Sequence, residues 1–193
     1  MGHLFDPAKL SRLLDPQRRE WNDPDRVLDC LGLQPGEVLA DVGAGPGWFA
    51  LPAAERVGPS GRVYALDLQE VMLAALRERA REAGLEARVV AVPVREGEPW
   101  PLPDGACDAA LVANVYHEVV DRPGFLRELA RILRPGGRLL VVEWKPEPTP
   151  MGPPLEERLE PSRLKEDLER AGFRVEGSCD PGPYHYGWLA FRP

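Results

Sequence analysis

No apolar stretch of about eighteen residues occurs anywhere in the chain, so no membrane-spanning helix is expected. The first residues, MGHLFDPAKL, lack the basic flank and apolar core of an export signal, and the protein is expected to be soluble, unexported and cytoplasmic. Cysteine is scarce. Cys30, Cys107 and Cys179 are odd in number, far apart and without paired spacing, which argues against a disulfide framework and suits a reducing compartment. His3, His117 and His185 are equally scattered, so no metal site is expected. Positive charge never clusters: 24 Lys and Arg stand against 31 Asp and Glu, the net charge is −7, and the signs alternate as in RERAREAGLEAR. That pattern leaves no footprint for a nucleic-acid backbone or a membrane surface.

What is present suffices for one well-buried core and is too short for two substantial domains, at 193 residues and 44% hydrophobic content. A single domain over residues 1–193 is expected, with residues 1–32 as an amino-terminal helical arm or lid. Three Asp-Pro pairs, Asp6-Pro7, Asp15-Pro16 and Asp23-Pro24, each offer a cap followed by proline in a first helical turn. Helices are expected to begin near Pro7 and Pro24, the latter carrying Val27, Leu28 and Leu31 to Gly32.

From there, apolar strands and amphipathic helices alternate. Strands are expected at 38–42, 62–66, 87–92, 108–113 and 139–143. Helices are expected from Gly47 to Val57, with Pro52 tolerable only in its first turns, at 70–83 before Gly84, and after the cap Asp121 as far as Arg134-Pro135-Gly136-Gly137. Strands apolar throughout and separated by helices mean a parallel sheet covered on both faces. After a helix at 162–171, strands at 173–179 and 185–191 are joined by Asp180-Pro181-Gly182-Pro183, too short a connection for a crossover, so they form an antiparallel hairpin. The fold class is therefore α/β, a doubly wound, mostly parallel seven-stranded sheet with one reversed strand.

In such a sheet, ligands bind beyond the carboxyl ends of the strands where strand order reverses, next to the first strand-to-helix turn. Gly43, Gly45 and Gly47 of VLADVGAGPGWFA fall on that turn, and Asp67 ends the second strand, where a carboxylate can accept from both hydroxyls of a ribose. Together they describe an adenosine site. A nicotinamide dinucleotide is one reading, but its fingerprint wants glycine or alanine after Gly47, where this chain has Trp48. Asp41, two residues before Gly43, favours a cationic ligand over a pyrophosphate, and the terminal hairpin is a further departure.

VLADVGAGPG, the acid of YALD, the segment LPDGACDAALVANVYHEV and LRPGGRLLVVEW, in this order, resemble the class I S-adenosylmethionine-dependent methyltransferases. The similarity spans residues 33–193 and is greatest to the small-molecule group that includes the ubiquinone/menaquinone-biosynthesis type. The resemblance implies S-adenosyl-L-methionine as cofactor, with Gly43, Ala44, Gly45 and Gly47 lining its methionine part and Asp41 acting on its amino group. It further implies Asp67 on the ribose, Leu68 and Met72 near the adenine, Val94, Arg95 and Glu96 as candidates beside that ring, and Asn114 and Val115 at the end of the fourth strand. NVYH lacks the Asn/Asp-Pro-Pro-aromatic run of nucleic-acid amino-methyltransferases, and the isolated cysteines do not suit arsenite methylation, so the partner expected is a small molecule.

Methyl transfer from a sulfonium is an in-line displacement, and alignment alone can supply on the order of 7–11 kcal/mol. A base is required only if the nucleophile arrives protonated. Asn114, Tyr116, His117 and Glu118 are best placed for such work; His117 is the catalytic candidate, and packing or capping of the following helix is its alternative role. The acceptor is expected against Tyr116 and Trp144, under a lid formed by the arm, with Phe5, and by KPEPTPMGPP after the fifth strand; a plain connecting loop is the alternative. Two other functions share these motifs in part, an NAD-dependent oxidoreductase and a non-catalytic S-adenosylmethionine sensor.

Overall fold

The computed structural model describes residues 10–193, so the expected start near Pro7 and the lid residue Phe5 lie outside the described residues. A one-turn helix α1 (Leu10–Leu13) and a 3-10 turn (Pro16–Glu20) lead to α2 (Pro24–Leu31). The two described Asp-Pro pairs act as expected: Asp15 accepts from the Gln17 N–H and Asp23 from the Asp25 N–H. Gly32, at φ 67°, ends α2 in the left-handed conformation that glycine adopts without steric cost.

The chain then runs β1 (Val38–Val42), α3 (Ala50–Val57), β2 (Arg62–Asp67), α4 (Glu70–Glu82), β3 (Val89–Pro93), β4 (Cys107–Ala113), α5 (Arg122–Ile132), β5 (Leu133–Trp144), α6 (Pro161–Arg170), β6 (Arg174–Cys179) and β7 (His185–Phe191). The sheet order is β3-β2-β1-β4-β5-β7-β6. β7 alone is antiparallel to its neighbours β5 and β6, as the short connection requires. The order reverses between β1 and β4, both parallel, which leaves a crevice at their carboxyl ends.

Strand side chains alternate between two cores. Leu39, Val63, Leu111 and Leu140 meet α2, α3 and α4 through Val27, Leu31, Val57 and Leu76. Ala40, Leu66, Val112 and Val141 face α5 and α6 through Leu126, Leu129, Leu164 and Leu168. The middle of each central strand is therefore apolar toward both faces, the signature of a sheet buried on both sides. Among the described residues, no helix is long and apolar enough to cross a membrane. The free thiols of Cys30 and Cys179 lie close together where α2 meets the end of β6, beside the Arg26–Asp180 ion pair at 2.6 Å.

Three boundaries differ from expectation by two residues or more. α3 begins at Ala50, because Gly45 and Gly47 have φ of 53° and 87°, outside the helical region; Pro52 then falls in its first turn, where proline is tolerated. β3 begins at Val89, after Arg88 N–H closes a turn onto Leu85 O. β5 begins at Leu133 and absorbs the run Arg134-Pro135-Gly136-Gly137, because Gly136 N–H donates to Arg192 O and Arg192 N–H to Gly137 O, drawing that run into the ladder with the end of the chain.

At the start of α5, Asp121 accepts from the Gly124 N–H at 3.0 Å. Asp121→Ala is expected to cost about 1 kcal/mol, roughly 2–4 °C in Tm. An unchanged midpoint in thermal unfolding would show that this cap contributes nothing.

Candidate functional site

At the end of β1 the chain turns sharply. Gly43 and Ala44 N–H both donate to Leu66 O, at 2.8 and 3.0 Å, which binds the turn to β2. Gly43 sits at φ 75°, and a Cβ there would lie 2.3 Å from Val115 Cγ2. Glycine is thus required both by conformation and by close approach. Asp67 completes the turn: one carboxylate oxygen accepts from Gly45 N–H and the other from Gln69 N–H, each at 2.8 Å. Burial raises its pKa against these stabilising bonds.

The turn borders a cavity of about 490 Å³ at the carboxyl ends of β1, β2 and β4, within the range of small-molecule sites. Gly43, Ala44, Gly45, Asp67, Leu68, Met72, Val94, Arg95, Asn114 and Val115 line it, so one space gathers these residues from five separate segments of the sequence. Asn114 has the positive φ of 60° that asparagine tolerates, its N–H donates to Val142 O, and both atoms of its side-chain amide are buried without a partner. Trp100 and Phe125, in edge contact at 5.4 Å, form an aromatic wall together with Val119 and Val120.

Asp41 and Gly47 lie behind the wall. A Cβ on Gly47 would approach Leu76 to 3.0 Å, so this glycine lets α4 pack under the turn. Asp41 is 1% exposed, and its Oδ2 has no partner. Burial, then repulsion from Asp67, pushes its carboxyl up to about 7, against a backbone hydrogen bond from Ala50 and the charge of Arg18.

His117 is not on the wall. Its Nδ1 is 2.8 Å from Glu143 Oε2, its backbone N–H donates to Glu143 Oε1 at 3.1 Å, and Glu143 is itself buried at the end of β5. Burial works against the imidazolium, but the hydrogen bond and charge of Glu143 outweigh it and raise the His117 pKa. Glu118 lines the cavity 3.8 Å from His117 Nε2, and burial foremost pushes its carboxyl up to about 7.

The two aromatic residues expected beside the acceptor lie elsewhere. Tyr116 is fully buried between α5 and α6, its hydroxyl 3.3 Å from Asp167 Oδ2. Trp144 packs against His185 at 4.2 Å and Trp21 at 5.5 Å. The proline-rich segment after β5 does not border the cavity: Arg158 gathers it by bonds to Lys145 O, Glu147 O, Thr149 Oγ1 and Pro153 O. Conversely, Arg18, Trp48, Trp100 and Phe125 line the cavity and Glu143 supports it, although the sequence assigned none of them a role in the site.

Residues 40–141 match a family described as a methyltransferase domain. The ubiquinone/menaquinone biosynthesis C-methyltransferase of Pasteurella multocida is 36% identical over 118 residues, 61% of this chain and 44% of that protein. Its counterpart in Cronobacter sakazakii is 32% identical over 160 residues, 83% of this chain and 61% of that protein. The chain thus spans about half the length of the curated relatives it matches. Among solved structures, a SAM-dependent methyltransferase from Aquifex aeolicus superposes with a TM-score of 0.93 at 36% identity, covering 98% of this chain and all of that one.

Proposed function

This chain belongs to the S-adenosylmethionine-dependent methyltransferases, and from that premise we propose that it transfers a methyl group to a small, apolar or aromatic acceptor by in-line displacement. The observation that carries the reading is the set of buried polar atoms left without partners around the glycine turn, Asp41 Oδ2 and the Asn114 amide, next to a carboxylate, Asp67, already oriented by two backbone N–H groups. Unsatisfied buried groups are costly, and a ligand carrying an ammonium and a ribose satisfies them.

When bound, the sulfonium supplies an activated methyl group. The chain's residues do the rest by placement. Asp67 holds the ribose hydroxyls, Asp41, buried behind the turn, directs negative charge toward the amino group, Leu68, Met72 and Val94 enclose the adenine, and the aromatic wall of Trp100 and Phe125 aligns the acceptor and excludes water. The relatives' name specifies methylation at carbon. A carbon nucleophile must lose a proton, and of the carboxylates on the wall we assign this to Glu118, which burial pushes up to about 7, matched to neutral operation. His117, fixed by Glu143, acts as the positioning residue behind it.

Calorimetric titration tests the reading. S-adenosylmethionine and S-adenosylhomocysteine are expected to bind in the micromolar range, about 8 kcal/mol, and NAD(H) not to bind. Binding of NAD(H) alone would return the glycine turn to the dinucleotide reading.

A further inference from the structure

Cys30 and Cys179 do not border the cavity, and nothing in the sequence relates them. The fold brings them together. Cys30 lies one turn after Arg26 on α2, and Arg26 reaches across to the end of β6, where its Nε donates to Asp180 O at 2.7 Å and its Nη2 to Asp180 Oδ2 at 2.6 Å. The next turn of α2 therefore sets Cys30 beside Cys179, the residue before Asp180. Both side chains pack on the same face of the sheet, against the core that contains Leu39, Val63, Leu111 and Leu140. Gly187, the partner of Cys179 on β7, makes the room: a Cβ there would stand 2.7 Å from Cys179 Sγ, so any side chain would displace the sulfur.

The two thiols are half-buried and the Arg26–Asp180 pair beside them is exposed, so a dissolved reagent can reach them. The neighbouring Cys179 thiol holds Cys30 below the usual thiol range against the cost of burial, and the charge of Arg26 helps. Cys107 is the contrast: it is buried at the start of β4, and burial first, then Asp108, pushes its thiol up to about 12. We propose that Cys30 and Cys179 form an oxidation site at which a low-molecular-weight disulfide converts the two thiols into a crosslink between α2 and the carboxyl-terminal hairpin. The Cys30 thiolate attacks one sulfur of the reagent and expels the first reagent thiolate. Cys179, giving up its proton, then attacks the Cys30 sulfur of the mixed disulfide and expels the second. One S–S bond is exchanged for another: the protein dithiol is oxidised, and the reagent is reduced to two thiols that carry the two protons. The crosslink closes a loop over most of the chain, which strongly restricts the unfolded state. It also fixes the root of the arm, because Asn22, just before α2, accepts at 2.9 Å from Nε1 of Trp48 on the cavity border. A single pair at an accessible rim is of the reversible kind and not a permanent framework.

The test uses the full reduced chain, oxidised glutathione as the reagent, and mass-spectrometric mapping of the cysteine peptides. A linked Cys30–Cys179 peptide pair within one chain is expected, with Cys107 still free and no glutathione retained. The midpoint of thermal unfolding is expected to rise by about 5 °C or more on oxidation and to return on addition of dithiothreitol. Cys179→Ser, which cannot complete the second step, is expected to keep a glutathione adduct on Cys30 and to show no such rise, whereas Cys107→Ala still forms the crosslink. Thiols that stay reduced, separate glutathione adducts on Cys30 and Cys179 of the wild type, or a crosslink only between chains would each overturn the proposal. So would a linked pair that leaves the midpoint where it was. If Cys179→Ser does not fold, the peptide map and the reversible midpoint of the wild type decide alone.

Discussion

Asp41→Asn is expected to stabilise the ligand-free protein and, at the same time, to cost it roughly 10- to 100-fold in affinity for S-adenosylmethionine. The two effects share one cause. The carboxyl is buried, has a free Oδ2 and is pushed from its ordinary 3.8 to about 7, first by burial and then by Asp67. Between those values the folded protein holds a proton that the unfolded chain releases, so the contribution of Asp41 to stability falls as pH rises from about 4 to about 7 and stays low above. Asparagine carries no such penalty and keeps an acceptor for the Ala50 N–H. The variant's advantage should therefore grow across that window to roughly 2–4 kcal/mol, about 5–10 °C in Tm, at neutral pH. The ligand's ammonium requires the anion, and a hydrogen bond between charged groups contributes about 1.5–3 kcal/mol. Wild-type affinity should thus rise as pH passes through 7, and that of the variant should not. Thermal unfolding and titration from pH 5 to 8 check both; a pH-independent difference in Tm, or undiminished affinity, would remove Asp41 from the site.

Most of the sheet was legible because its signals are local. Leu39, Ala40, Leu111 and Val112 are apolar on both faces, and the Asp-Pro caps and the Gly32 stop depend on a few adjacent residues. The start of β5 was not legible. Arg134-Pro135-Gly136-Gly137 has the chemistry of a turn, and what makes it strand is the pairing of Gly136 and Gly137 with Arg192, more than fifty residues away. Cys30 and Cys179 likewise show no relation in sequence and meet only when α2 docks on the hairpin.

The site divides along the same line. Gly43, Gly45 and Asp67 belong to one strand–turn–helix unit and its neighbour, whose geometry is determined within a few residues. Tyr116, His117 and Glu118 illustrate the limit. They occupy one 3-10 turn, in which successive side chains point about 120° apart. Position after β4 therefore brings all three near the cavity, yet Tyr116 enters the core toward α6, His117 turns to Glu143 and Glu118 alone of the three reaches the wall. Trp144 ends β5, one residue beyond the expected strand, and is covered by Trp21 and His185, partners supplied by the arm and by β7. Arg18 has no motif around it, and its place beside the cavity is disclosed only by the three-dimensional structure.

Asp67→Ala is expected to produce the largest loss, hundredfold or more for S-adenosylmethionine and S-adenosylhomocysteine alike. The carboxylate binds Gly45 and Gln69 N–H groups, and its remaining lone pairs face the cavity side of β2, where two ribose hydroxyls can donate. Two charge-assisted bonds at about 1.5–3 kcal/mol each already account for a hundredfold, and alanine also frees the Gly45 N–H and loosens the turn. Asp67→Asn, with one acceptor oxygen, should fall between alanine and wild type; affinity of Asp67→Ala within threefold of wild type would place the ribose elsewhere. The same residue bears on ligand choice. Asp67 raises the pKa of Asp41, so the two carboxylates repel each other across the turn. A pyrophosphate would add a third negative charge to that pair, whereas a ligand with an ammonium and a sulfonium relieves the repulsion, which is why this glycine turn suits S-adenosylmethionine rather than a dinucleotide.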